Sequence, residues 1–290
     1  MHFSESQRTD LVDRIRRLSR PVEPLPTGET PRPLPGAPVR AVLFDLYGTL
    51  FISAAGDIGT EETGARAVYH EAAAAAGIQL PPGSRIDWGA EFRAEIARQH
   101  ARRRADGVAC PEVDVRHIWR AVLEPDGRRM SDEAILRFAV EVECRINPVW
   151  PMPGARAALQ RLRERGVVLG LVSNAQCFTP LLFDALLDMR VEQAGFSPRC
   201  CVWSWQEGEA KPSPHLLHKA LTALREEHAI APDETLFVGN DMLKDIHPAL
   251  RAGCCAALFA GDARSLRRRE DDPRCAGLNP DAVLTALDQL

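Results

Sequence analysis

Asp45 follows the apolar run "AVLF" and is itself followed by Tyr47, Gly48 and Thr49. Ser173 and Asn174 close a second apolar run, "LGLVSN". Lys211 stands in "GEAKPSP", and Asp241 and Asp245 lie in "FVGNDMLKD". A carboxylate can act as a covalent nucleophile. Asp45 and Asp241 together could hold a hard divalent cation such as Mg²⁺, which prefers oxygen ligands and keeps part of its water. The cation would offset repulsion between carboxylate and phosphate. Ser173 and backbone N–H groups could donate to phosphoryl oxygens, and Lys211 could balance charge on nucleophile and phosphate. As a set, these residues suit phosphoryl transfer.

Such a set needs a frame that brings four distant segments to one place. Strands are predicted at residues 40–45, 167–173, 199–204, 235–239 and 254–259, each a continuous apolar run of the kind buried on both faces. Helices are predicted between them, at residues 153–166, 178–190, 213–228 and 244–252. The alternation implies an α/β fold, a Rossmann-like, doubly wound parallel sheet. In such sheets ligands bind beyond the carboxyl ends of the strands. Asp45, Ser173 and Asp241 all lie at such ends. Residues 54–147 break the alternation. Their strandless, Ala-, Arg- and Glu-rich segments at 60–76, 86–105, 113–123 and 131–145 predict an inserted all-helical domain. The core is then residues 39–53 and 148–290. Residues 1–38 read as an appended helix, over 10–20, and a proline-rich linker. That helix could pack on the core or serve a protein partner.

Four motifs in this order, "DLYGT", "VSN", "AKP" and "GNDMLKD", resemble those of the haloacid dehalogenase-like hydrolase superfamily over roughly residues 40–260. The resemblance implies a mobile cap inserted after the first motif, where the helical insertion falls. It implies Asp45 as nucleophile and Ser173 and Lys211 as phosphate contacts, with Thr49 and Asn174 in the same motifs. It implies Mg²⁺ held by Asp45, the Tyr47 backbone carbonyl, Asp241 and Asp245. The expected substrate is a small phosphorylated metabolite.

Phosphatases of the superfamily usually carry a second aspartate where Tyr47 stands. That acid protonates the leaving group and activates water, work worth roughly 10²–10⁴-fold. A phenol of pKa ~10 is a poor base at neutral pH. The form D-x-Y-G-T is instead that of the 2-haloacid dehalogenases, which release halide and need neither proton nor Mg²⁺. The fourth motif is phosphatase-like, since Asp241 and Asp45 would repel one another without a cation. Tyr47 is open between a catalytic part and a structural plug. Asn240 directly follows Gly239, where many family members have the metal aspartate, so either Asp241 takes that role through a shifted loop or Asn240 is a weaker ligand in a degraded site. Arg66 and Arg93 are available for a haloacid carboxylate but lie in no matching pattern. Three readings stand: a Mg²⁺-dependent phosphohydrolase, which is favoured, a haloacid dehalogenase, and a non-catalytic binding member.

The chain has 290 residues and a formal net charge of −4, which favours neither nucleic acid nor an anionic membrane. No apolar run approaches the ~20 residues of a membrane span, and the first residues carry no signal-type apolar stretch, which predicts a cytoplasmic protein. The eight cysteines form no C-x-x-C and read as small buried side chains. His215 and His218 lack a third ligand nearby and read as solvated. Trp203 and Trp205 read as packing. The basic runs at 98–104 and 264–270 read as solvated surface.

Overall fold

The structure, a computed structural model, describes residues 3–34, 36, 39–54, 66–80, 86–124, 127 and 129–290. The predicted helical segment at 60–65 lies outside the described residues. The chain opens with α1 (Glu5–Leu18), then enters β1 (Ala41–Phe44) and β2 (Phe51–Ser53). Among the described residues four helices follow: α2 (Arg66–Ala76), α3 (Trp88–Ala105), α4 (Val115–Leu123) and α5 (Asp132–Ile146). β3 (Val149–Pro151) returns the chain and pairs antiparallel with β2, Ile52 opposite Trp150. Strands and helices then alternate: α6 (Ala155–Glu164), β4 (Val168–Ser173), α7 (Leu181–Leu186), β5 (Phe196–Trp203), α8 (Ser204–Glu207), α9 (His215–His228), β6 (Thr235–Gly239), α10 (His247–Arg251), β7 (Cys255–Phe259) and β8 (Ala282–Leu284).

Six strands form one parallel sheet in the order β5-β4-β1-β6-β7-β8. β1 is central, with Phe44 in register with Leu171 on one side and Val238 on the other. All four β1 residues are buried because both faces are covered. Val42 and Phe44 face the apolar layer that includes α6, α7, α1 and the insertion, whereas Ala41 and Leu43 face the layer of α9 and α10. The chain leaves β1 toward neighbours on both sides, which places a crevice at its carboxyl end.

The five predicted strands are found, and β8 and the β2–β3 pair are additional. Two helices are shorter than the sequence suggests. α7 is followed closely by Asp188, whose φ of +51° is not helical. The segment before α10 is a π-helical turn, Met242–Ile246, capped by Asp241.

α1 lies against α5 and α7 through Leu11, Val12 and Ile15, all buried. Its arginines are engaged rather than simply solvated. Arg14 and Arg17 each reach the buried Glu141 carboxylate of α5 at 2.8 Å, and Arg8 meets Asp184 of α7 at 3.0 Å. The proline-rich stretch runs beside β8, where Arg32 and Val283 form an antiparallel bridge. No helix among the described residues is long and apolar enough to cross a membrane.

Candidate active site

Asp45 is the first residue past β1, and its N–H donates to the Val238 carbonyl at 2.9 Å, continuing the parallel ladder. That bond aims the carboxylate out of the sheet edge. Lys211 arrives from the loop after α8. Its ammonium donates to Asp45 Oδ1 and to Asp245 Oδ1, each at 2.6 Å. All three side chains are buried. Burial alone would lower the Lys211 pKa, but Asp245 and Asp45 outweigh it and hold the ammonium above its ordinary value. Burial raises the Asp245 carboxyl, Lys211 pulls it back, and the charges of Asp45 and Asp241 raise it again, leaving it at about 7.

Asn174 fixes the lysine from behind. Its Oδ1 accepts from the Lys211 N–H at 2.8 Å, and its Nδ2 donates to the Lys211 carbonyl at 3.3 Å. Asn174 therefore positions Lys211. Ser173 is fully buried but does not line the cleft, and its hydroxyl reaches the Asn174 carbonyl at 3.4 Å. Thr49 is also fully buried and also lies outside the lining. Its hydroxyl meets Asn240 Oδ1 at 3.4 Å, while Asn240 Nδ2 donates to the Ser265 carbonyl at 2.6 Å. Asn240 thus ties the Asp45 loop to the loop after β7. Gly48, at φ +82°, sits within this clasp. A Cβ there would lie 2.5 Å from Ser265 Cβ and 2.6 Å from Asn240 Nδ2, so no larger residue fits.

Asp241 caps the π-helical turn by accepting from the N–H groups of Leu243 and Lys244 at 2.9 and 3.1 Å. It is also paired with Arg269, whose Nη2 lies 2.6 Å from Oδ2. Burial would raise the Asp241 carboxyl, but Arg269 and the two amides hold it below the usual range. Asp245 Oδ2 accepts from the Asp241 N–H at 3.0 Å.

Asp45, Tyr47, Asn240, Asp241 and Asp245 line one cleft with Asn174 and Lys211, about 450 Å³ including the open solvent at its mouth. Hard anionic oxygens crowded in one cleft are a donor set that fits a divalent cation such as Mg²⁺. As they stand, the protein's own cations neutralise them: Lys211 at Asp45 and Asp245, Arg269 at Asp241. Among the described residues no three acidic, histidine or cysteine side chains converge on one point as a metal cage. The Tyr47 hydroxyl is 3.1 Å from Thr179 Oγ1, and burial, with the charge of Glu143, raises the phenol above its ordinary pKa.

Residues 39–253 match the family of haloacid dehalogenase-like hydrolases. The chain belongs to that family. Among curated proteins it is 29% identical over 108 residues to the glyceraldehyde 3-phosphate phosphatase of Pyrococcus furiosus, a match spanning 37% of this chain and 41% of that protein. Among solved structures it is similar to a 2-haloacid dehalogenase from Pseudomonas syringae pv. Tomato, at 22% identity and a TM-score of 0.55, over 87% of this chain and 96% of that one. A phosphatase from Thermococcus onnurineus aligns at 19% identity and a TM-score of 0.49, over 87% and 95%. At 22% identity the likeness to the Pseudomonas structure speaks for the fold alone.

This haloacid dehalogenase-like hydrolase has cleft-lining residues that the motifs do not announce, Arg267 and Arg269, beside Lys244 of the fourth motif. The two arginines belong to the basic run 264–270, a surface loop as the sequence suggests, and within it Arg267 and Arg269 are half-buried at the edge of the cleft. The run follows β7, whose carboxyl end opens on the same sheet edge as Asp45. The strand-end rule applied to this strand too would have found them.

Other expectations resolve as follows. Trp203 is buried, and Trp205 packs under the Arg116 guanidinium at 5.4 Å. His215 bonds Glu207 at 3.2 Å. All eight cysteines are free thiols. Arg66 is exposed at the start of α2, and Arg93 acts on the Tyr69 phenol. Neither lines the cleft.

A second hollow adjoins the first, and Asn174 lines both. It lies between the insertion and the sheet edge and encloses about 1000 Å³ including its open mouth. The insertion is stitched to the core beside it. Gln176 accepts from the Val115 N–H and donates to the Val113 carbonyl, both at 2.9 Å. The Ala210 N–H, next to Lys211, donates to the Cys110 carbonyl at 2.7 Å.

Proposed function

We propose that this hydrolase is a phosphomonoesterase that forms an aspartyl-phosphate on Asp45, with residues 54–147 acting as its cap. One observation carries the reading. Three buried carboxylates, Asp45, Asp241 and Asp245, share a small cleft with Lys211 and Arg269, a charge set matched to a phosphate and a divalent cation. Displacement of halide from carbon requires no such set.

In the first step an Asp45 carboxylate oxygen attacks phosphorus and the bond to the ester oxygen breaks. In the second, water attacks the aspartyl-phosphate and releases inorganic phosphate and the free carboxylate. Lys211 holds Asp45 in place and offsets charge as the phosphoryl group approaches. Asn174 positions Lys211 through both faces of its amide. Arg267 and Arg269 stand where a phosphate enters. Mg²⁺, when bound, would be held by Asp45, Asp241 and the Tyr47 carbonyl, with Asp245 behind them, and would neutralise the crowded negative charge. Arg269 would have to give way at Asp241.

Tyr47 takes no part as acid or base, because its hydroxyl is engaged with Thr179 and its pKa is raised. The enzyme then favours substrates whose leaving groups depart readily, aryl esters and acyl phosphates before alkyl esters. Ser173 and Thr49 act by shaping the loops rather than by touching phosphate.

The test is hydrolysis of acetyl phosphate and para-nitrophenyl phosphate with Mg²⁺ and with EDTA, beside Asp45→Asn. Turnover should need Mg²⁺ and should fall at least ~1000-fold in the variant. Equal rates in EDTA would remove the metal, and an active variant would remove the nucleophile. A second reading rests on Tyr47 itself, the residue that dehalogenases carry there. It predicts chelator-insensitive halide release from 2-haloacids.

A further inference from the structure

The hollow beside the cleft has a lining of definite chemistry. Phe92 and Ile96 of α3, Trp119 of α4, and Val142 and Ile146 of α5 make it apolar and aromatic. Phe92 stacks on Trp119 with ring centroids 4.3 Å apart, which presents a firm aromatic wall. Among the described residues no lysine or arginine lines it.

Six polar residues interrupt the apolar surface, and three have their side chains engaged: Glu112 with the Ser204 hydroxyl, Gln176 with the backbone of Val113 and Val115, and Asn174 with the backbone of Lys211. Tyr69, His100 and Glu143 are the others. His100 of α3 lines the hollow, and its Nε2 is buried without a hydrogen-bond partner among the described residues. Burial, then Arg104, lowers its pKa, so the ring is neutral at neutral pH. Glu143 of α5 also lines the hollow, and its carboxyl accepts from Asn147 Nδ2 at 3.1 Å. A buried polar atom left unpaired costs stability, and its persistence beside an open hollow marks a place where a ligand supplies the missing bond.

Resting on the phosphatase reading, we propose that this chamber receives the leaving group of the substrate, and that this group is an uncharged aryl or branched-alkyl body. A single hydroxyl or amide on that body would meet His100. The chamber meets the cleft at Asn174, the residue that positions Lys211, so a phosphate beside Asp45 and its organic part in the chamber belong to one molecule. A carboxylate in the chamber would have no cation to meet, and Glu143 would oppose it. A polyhydroxylated chain would leave its hydroxyls against Phe92, Ile96 and Trp119 without partners. Sugar phosphates, carboxylate-bearing phosphates and 2-haloacids are therefore poor occupants. An aryl oxygen is also the leaving group that needs least help from the acid missing at Tyr47.

The experiment compares kcat/KM for phenyl, para-tert-butylphenyl and para-carboxyphenyl phosphates and for glycerol phosphate. It also measures binding of free para-tert-butylphenol to the intact enzyme by titration calorimetry. One buried methylene in an apolar pocket is worth roughly 10- to 200-fold. The tert-butyl ester should therefore exceed phenyl phosphate at least ~10-fold, through KM. The carboxyphenyl ester should fall below phenyl phosphate by a similar factor, although its phenol leaves more readily. Ile96→Lys should abolish binding of the free phenol and erase the tert-butyl preference, and Val142→Phe, which fills the chamber, should do the same. Circular dichroism confirms that each variant is folded. Phenol binding that both variants abolish, with no ester hydrolysed, would overturn the phosphatase reading and support the chamber as an apolar binding site. Hydrolysis with no preference among the esters, or phenol binding unchanged in both folded variants, would overturn the chamber assignment.

Discussion

At the scale of single residues, the site is a problem of negative charge kept out of water. Asp45 and Asp245 share one ammonium, and Asp241 has its own guanidinium. Glu143 has neither among the described residues, and its carboxyl accepts from the Asn147 amide. Burial therefore pushes its carboxyl from an ordinary 4.5 up to about 7. The folded-state value is raised, so the folded protein holds a proton that the unfolded chain has released between those two pH values. The stability tied to that proton is fully present below pH 4.5 and is lost as pH rises through 7. Glu143→Gln cannot ionise and should escape the loss. Denaturant unfolding at pH 5 and pH 8 should show wild type losing about 1–3 kcal/mol more than the variant over that interval. Parallel losses in the two proteins would show that Glu143 ionises in the fold as freely as in water. His100, Tyr69 and Glu112 also line the chamber, and Tyr47 and Cys144 lie in the field of Glu143. The comparison with Gln cancels their share.

At the scale of elements, α1 is the piece whose role the sequence left open. Its apolar stripe predicts a helix that packs on something, and the structure supplies the surface, α5 of the insertion together with α7 of the core. The polar half of that contact centres on Glu141, which is fully buried and receives Arg14, Arg17 and Arg145. Without Glu141, Arg14 keeps Asp10 and the Ala75 carbonyl, Arg145 keeps Glu71, and Arg17 turns to water, so the loss is that of charged hydrogen bonds rather than of charges left buried alone. Glu141→Ala should destabilise the protein by about 1–3 kcal/mol and make α1 the first segment released to a protease in limited digestion. An unchanged melting temperature would show that α1 is held without Glu141, by Leu11, Val12 and Ile15 and by pairs such as Arg8–Asp184. Continuous apolar runs made β1, β4 and β6 legible, because strands buried on both faces leave that mark. β2, β3 and β8 have three residues each, too few for any period to show. Asp45, Lys211, Asp241 and Asp245 were legible as motifs at strand ends and do meet. Ser173 and Thr49 were legible in the same way, yet the Ser173 hydroxyl reaches the carbonyl of the next residue and that of Thr49 reaches Asn240 of a neighbouring loop. Arg269 was invisible because Asp241 lies 28 residues away, and Glu141 because Arg14 and Arg17 lie more than a hundred residues away, only Arg145 being near in sequence.

At the scale of the whole molecule, net charge and local charge point in opposite directions. The chain carries 36 lysines and arginines against 40 acidic residues, which should repel a phosphate dianion at long range. The cleft reverses this locally. Lys211, Lys244, Arg267 and Arg269 line it against three carboxylates, before any metal is added. A narrow opening in a low-dielectric wall focuses such a field. Capture of a phosphate ester then depends on a positive mouth in a negative surface, and the two respond to salt in opposite senses. The mouth acts within a few ångströms and the surface over the Debye length, ~8 Å at physiological ionic strength. Moderate salt should first screen the repulsive surface and raise kcat/KM slightly. Higher salt, near 1 M, where screening reaches down to ~3 Å, should then lower it several-fold through KM, with kcat little changed. Arg267→Ala should remove most of the high-salt decline while keeping the initial rise, because only the mouth has been altered. A decline of equal slope in variant and wild type would place the steering charge elsewhere on the molecule, and the exposed arginines of α3 would be the next to substitute.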